Sequence, residues 1–150
     1  MKRIALVSCV SKKTREPNKA SDLYISTWFK KCKKYVEKEY YDWYILSAKY
    51  GLIHHSVFIE PYDITLSKMP QSQRTLWGVE IVNKLNYLYP QKDIHFDIYA
   101  GNLYRKYIIN NLDKFGFNYC IPLIGLGIGQ QLKELERLLK WCLYLKRLIH

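Results

Sequence analysis

The chain predicts an α/β fold: one domain, 1–150, built as a three-layer α/β/α sandwich around a four-stranded, mostly parallel sheet. Three observations lead there. Short apolar runs bounded by polar or glycine-containing stretches alternate with amphipathic stretches of helical length. Each connection between such runs is long enough for a crossover helix, which makes neighbouring strands parallel. A length of 150 residues, with 49% hydrophobic and 25% charged residues, suits a single globular core.

The elements follow in order. Ile4–Cys9 is a buried strand, bounded by the polar stretch 11–21. Ser21 is placed to cap a helix from Asp22 to about Tyr40, whose apolar positions Ile25, Trp28, Phe29, Cys32 and Val36 follow helical spacing. Trp43–Ser47 is a second strand, and 46–63 is read as a long loop at its exit. Gln71 to about Tyr89 is a helix with Leu76, Val79, Ile81, Val82, Leu85 and Leu88 as its stripe. Asp93–Ala100 is the third strand. Gly101–Phe115 is helical and stops at Gly116. Tyr119–Leu123 is the fourth strand and Gly129–Leu148 the last helix. No internal repeat, low-complexity tract or linker divides the chain.

Twenty-four Lys and Arg against 13 Asp and Glu give a net charge of +11. Such an excess favours a polyanionic partner, nucleic acid before an anionic membrane, although a generally basic surface gives the same total. Lys30, Lys31, Lys33, Lys34 and Lys38 would form a cationic helix face. No apolar stretch is long enough to span a membrane. The run after Met1 is too short and interrupted for a signal peptide, so the cytoplasm is the expected address. Cys9, Cys32, Cys120 and Cys142 lack the spacing of a zinc site or a disulfide framework; three of them read as core thiols. His54 and His55, being adjacent, would point to opposite faces of a strand, and no metal or cofactor is expected.

In open α/β sheets, ligands bind outside the carboxyl ends of the strands, which directs attention to four segments. Ser8, Cys9, Ser11, Lys12 and Lys13 follow the first strand and suit a phosphate or a base edge, or equally a solvated loop. Lys49-Tyr50-Gly51 with Glu60-Pro61-Tyr62-Asp63 offers a cation, two aromatic walls and two carboxylates on a stiffened path; Gly51 allows a positive φ and Pro61 restricts the approach to Asp63. Gly101, Tyr104 and Arg105 begin a helix, where amides favour anions and Arg105 is suited to phosphate. Gly125, Gly127, Gly129 and Gln130 form a glycine-rich entry to the last helix that matches neither the dinucleotide fingerprint nor a P-loop. Leu126 and Ile128 alternate with those glycines, either packing the helix start or presenting a wedge.

Four segments together resemble a bacterial and phage family related to the peroxide-stress protein YaaA: LVSCVSKK, the Asp22-Leu23-Tyr24 helix start, LSAKYGLI followed by EPYD, and YAGNLYRKYI with PLIGLGIGQQL. The resemblance implies a uracil-DNA-glycosylase-like architecture and DNA binding. It also implies a distant likeness to phage-defence DNA glycosylases that excise a modified base. The first motif of the uracil-DNA glycosylases is absent, and residues 8–13 stand in its place, so an acid must come from elsewhere. Asp63 is the first candidate for water activation or cation stabilisation, with Glu60 and Asp22 as substitutes. Tyr50 and Tyr62 would stack the base; Lys12, Lys13, Lys49 and Arg105 would hold phosphates. A non-catalytic DNA-binding stress protein and an enzyme on free nucleotides, such as a base or ribosyl transferase, are the alternatives.

Overall fold

A computed structural model describes residues 1–9 and 12–149. Seven strands form among these described residues: β1 (Lys2–Ser8), β2 (Asn18–Lys19), β3 (Asp42–Ser47), β4 (Gly51–His54), β5 (Phe58–Ile59), β6 (Ile94–Tyr99) and β7 (Asn118–Cys120). Five make the central sheet in the order β4-β3-β1-β6-β7, while β2 and β5 pair as a small antiparallel ribbon. The pairs β1–β3, β1–β6 and β6–β7 are parallel and β3–β4 is antiparallel. The sheet is therefore mixed and has five strands, not four.

The added strand lies inside 46–63. Gly51 takes φ +69°, which lets the chain reverse directly after β3 and return beside it. Leu52 and Ile53 are buried on that return. A short apolar pair behind a glycine was legible as a hairpin, but the wealth of polar residues around it masked the signal.

Among the described residues, five α-helices cover the sheet: α1 (Ala20–Leu23), α2 (Thr27–Glu39), α3 (Gln71–Leu88), α4 (Asn102–Lys114) and α5 (Ile128–Ile149). Strand alternation divides the core. Ile4, Leu6, Leu46 and Phe96 pack against Ile81 and Leu85 of α3 and Ile108 and Leu112 of α4. Ala5, Val7, Trp43 and Ile45 pack against Leu23 of α1, Phe29 and Val36 of α2 and Leu135 of α5. Each large side chain so buried contributes about 1.5–3 kcal/mol relative to exposure.

The helix expected from Asp22 to Tyr40 is broken. Residues 12–14 form a bridge with Tyr24: Thr14 N–H donates to Leu23 O (2.9 Å) and Ile25 N–H to Lys12 O (3.0 Å). These bonds hold Tyr24 extended, and Ser26, not Ser21, caps α2 by accepting from Phe29 N–H at 3.2 Å. Ser21 is buried within α1, and Ile25 is exposed.

On α3 the buried stripe is Trp77, Gly78, Ile81, Val82 and Leu85, whereas Leu76 and Leu88 face outward. Gly78 sets that register. A Cβ there would lie 1.9 Å from Tyr107 O, so α4 rests directly on the α3 backbone. No helix among the described residues is long and apolar enough to cross a membrane.

Candidate functional site

Because β1, β3 and β6 run parallel, their carboxyl ends meet on one edge, bringing together Ser8–Cys9, Ser47 and Ala100–Gly101. At the centre lies a buried hydroxyl network. Ser47 Oγ donates to Tyr62 Oη (2.7 Å) and accepts from Tyr50 N–H (3.0 Å). Tyr62 Oη also meets Tyr24 Oη at 2.7 Å and Cys9 Sγ at 3.4 Å. Cys9 in turn donates to Leu46 O at 3.3 Å. Burial raises the Cys9 thiol and both phenols above their ordinary ranges, keeping all three protonated at neutral pH.

Three clefts surround this network. A cleft of about 270 Å³ is lined by Cys9, Lys13, Tyr62, Thr65, Ser67 and Tyr104 among others. There Lys13 Nζ lies 4.4 Å from the centre of the Tyr62 ring, and burial pushes the Tyr104 phenol up to about 12. A second cleft of about 430 Å³ takes in Ser8, Lys12, Ser26, Trp28, Gly101, Ile128 and Gln131. The third, about 380 Å³, lies against α3 and contains Lys49, Tyr50, Gln73, Trp77, Glu80 and Lys84. Tyr50, lining the third cleft, and Tyr62, lining the first, meet edge to face with ring centres 5.5 Å apart.

The expected ligand-binding residues thus divide. Ser8 and Lys12 reach one cleft, Cys9, Lys13, Tyr62 and Tyr104 another, and Lys49 and Tyr50 the third. Ser11 lies outside the described residues. Arg105 lines none of these three clefts; its guanidinium donates to Ala100 O at 3.0 Å and braces the β6–α4 turn. In the glycine-rich entry, Gly125 has φ +80°. Gly127 N–H donates to Gln130 Oε1 at 3.1 Å, so Gln130 closes the start of α5. Nothing stands within 4 Å of a Cβ built at Gly127 or Gly129, so close approach by the protein's own atoms does not account for either. Leu126 packs into the core, and Ile128 is 65% exposed at a cleft rim.

The three candidate carboxylates are exposed, and none is among the residues lining these three clefts. Asp22 is tied to Lys33 at 2.6 Å, which holds its carboxyl below the usual range. Glu60 offers its backbone oxygen to Tyr50 Oη at 3.4 Å. Asp63 lies between Tyr62 and Ile64, both of which line the Tyr104 cleft. The lysine face of α2 is partly consumed within the fold: Lys31 pairs with Glu136 and Lys33 with Asp22.

Other residues gained importance only in three dimensions. Trp28 Nε1 donates to Gln131 Oε1 at 2.8 Å, and Gln131 Nε2 to Leu126 O at 2.9 Å, joining α2 to α5 across the second cleft. Asp97, fully buried in β6, accepts from Arg3 and Tyr40 and from Cys120 Sγ (2.9 Å), with His95 Nε2 at 3.1 Å. An acidic residue inside the apolar run of β6 was the signal for it. Cys120 is exposed rather than a core thiol, and burial of the sulfur with the Asp97 bond pushes it up to about 12.

His54 and His55 also depart from expectation. β4 ends at His54, and a turn at 55–56 interrupts the alternation, so both rings come to Asp42. His54 Nε2 lies 2.9 and 3.0 Å from the two carboxylate oxygens, and His55 Nε2 lies 3.2 Å from Oδ1.

A family model described as "Family of unknown function (DUF6884)" matches residues 4–137, from β1 into α5. The chain belongs to DUF6884. Every candidate residue from Ser8 to Gln131 lies within this DUF6884 span. The chain is also similar to the Uncharacterized protein YfjM of Bacillus subtilis (strain 168), with 32% identity over 72 residues. That alignment covers 43% of this chain and 48% of YfjM, so it spans about half of the relative's length. No solved structure matches the chain.

Proposed function

We propose that this DUF6884 chain is a DNA-binding protein that holds a nucleobase and its adjoining phosphates at the carboxyl ends of β1, β3 and β6. The observation that carries the reading is Lys13 Nζ lying 4.4 Å over the Tyr62 ring inside a cleft that also contains Tyr104. A cation beside aromatic walls suits a flat, anionic ligand: the ring stacks or edges the base while the ammonium meets a phosphate. Lys12 in the neighbouring cleft and Lys49 in the third extend the cationic track. The net charge of +11 supports a polyanion, as does the likeness to YaaA-related proteins and their uracil-DNA-glycosylase-like architecture.

Base excision is the second reading, and one observation favours it: Asp63 is flanked by two residues of the tyrosine cleft. Excision needs a carboxylate beside the sugar, where positive charge develops. The exposure of Asp63, Glu60 and Asp22 therefore supports binding better than bond cleavage.

Fluorescence anisotropy with single- and double-stranded oligonucleotides between roughly 50 and 200 mM salt tests the binding. Affinity is expected to fall steeply with salt, and Lys12→Ala and Lys13→Ala each to flatten the log–log slope by about 1. Binding that is absent or insensitive to salt rejects the proposal. Tight mononucleotide binding that duplex does not displace points to an enzyme on free nucleotides instead. Mass spectrometry of bases released from modified DNA, comparing wild type with Asp63→Asn, decides the excision reading.

A further inference from the structure

We propose that Asp42, His54 and His55 form a binding site for a divalent transition metal of the zinc class. This site lies at the opposite end of β3 from the clefts and is independent of the DNA reading. Asp42 opens β3 and His54 closes β4 beside it. His55 is turned back by the 55–56 turn, in which Val57 N–H donates to His54 O at 3.1 Å.

The spacing matches a coordination sphere. Ligand atoms bound at 2.0–2.1 Å in a tetrahedron stand about 3.3 Å apart. Here the carboxylate-to-imidazole separations are 2.9, 3.0 and 3.2 Å, and the three ligand atoms all lie within 4.8 Å of one another. Two nitrogens and one carboxylate oxygen form a donor set that zinc accepts, with a position left open. The side chains are 26–32% exposed, which allows a metal to enter from solvent.

Outer contacts already hold the rings in place. Ser56 Oγ lies 2.6 Å from His54 Nδ1, and the Trp43 indole stacks on His55 with ring centres 5.0 Å apart and planes 8° from parallel. With a metal on Nε2, His54 Nδ1–H would donate to Ser56 Oγ, replacing the 3.3 Å bond that Nδ1 accepts from Ser56 N–H; such a bond on the remote nitrogen is the usual device that orients a ligating imidazole. Elsewhere among the described residues, His95, Asp97 and Cys120 also lie close together. Arg3 already neutralises that carboxylate, and the Cys120 thiol holds its proton, so the second cluster is a poor competitor for a cation.

The site would pin the antiparallel edge of the sheet. Its turn carries the carbonyls of His55 and Val57, which accept from Ser21 N–H (3.0 Å) and Ala20 N–H (2.7 Å). A bound metal would thus be linked through α1 to the bridge that presents Tyr24.

Titration of the full chain with Zn²⁺ by calorimetry, and with Co²⁺ by visible absorption, tests the site. One equivalent is expected to bind. The cobalt complex should show d–d bands without a thiolate-to-metal charge-transfer band. His54→Ala and His55→Ala should each weaken binding at least about tenfold, while Cys120→Ser leaves it unchanged. Circular dichroism establishes that the variants remain folded, and Asp42→Asn supplies a milder third change expected to act in the same direction. No binding by wild type, a thiolate band, or unchanged affinity in both histidine variants would overturn the assignment.

Discussion

Ser47 and Tyr62 are joined by a 2.7 Å hydrogen bond between a fully buried hydroxyl at the end of β3 and a phenol fifteen residues later. The same hydroxyl accepts from Tyr50 N–H. One serine therefore fixes both the Gly51 reversal and the return of the Pro61–Tyr62 segment to the sheet edge. It explains why so many polar side chains occupy a connection: several of them hold the clefts in shape.

Ser47→Ala keeps the volume but removes both bonds, leaving the Tyr50 amide without this partner. Equilibrium urea unfolding should show a loss of about 1–3 kcal/mol. Ligand affinity at the Tyr62 cleft should fall with it. An unchanged midpoint would mean that the network contributes nothing to stability.

Gly78→Ala should be more damaging than an ordinary glycine replacement in a helix, which is usually favourable by the helix-propensity scale. The added methyl meets the Tyr107 carbonyl at 1.9 Å, so α3 and α4 must separate. A destabilisation of about 1–3 kcal/mol or more is expected from thermal or denaturant unfolding.

Asp97→Ala should cost about 3 kcal/mol, read the same way. The Arg3 side chain is 55% exposed and can turn to water, but Tyr40 and Tyr99, which share a 2.6 Å bond, lose the anchor beneath them. Asp97→Asn, which keeps an acceptor, should cost less.

Cys120 should alkylate slowly at pH 8 although the residue is exposed. Its thiol is raised to about 12 by burial of the sulfur and by its bond and proximity to Asp97. A raised folded value means that the thiol's contribution to stability is complete below the unfolded thiol value. It is lost as pH climbs through the folded one. Iodoacetamide reaction at this site should therefore be about ten- to a hundredfold slower than with a free peptide thiol and accelerate above pH 10. A rate matching the peptide control would contradict the geometry. Mass spectrometry reads the site directly.

The sequence by itself determined the α/β class, the parallel centre, and the edge of the sheet on which the strand-end residues Ser8, Ser47 and Ala100 collect. Apolar periodicity and strand alternation are local properties, and parallel crossovers bring the strand ends to one side. It also marked Gly51 as a place where the chain can turn, since glycine adopts a positive φ such as its +69° without the steric cost a Cβ brings. Tertiary structure decided the rest. The 12–14 bridge broke a continuous helical pattern at Tyr24, because backbone bonds to a distant segment outweighed propensity. Pairing across β3 and β4, together with a turn that ended the alternation, brought His54 and His55 to one carboxylate. Whether a carboxylate is buried depends on which strands flank it. For that reason the chosen acids, Asp63, Glu60 and Asp22, lie in solvent, while Asp97 is fully buried and anchors Arg3, Tyr40 and Cys120.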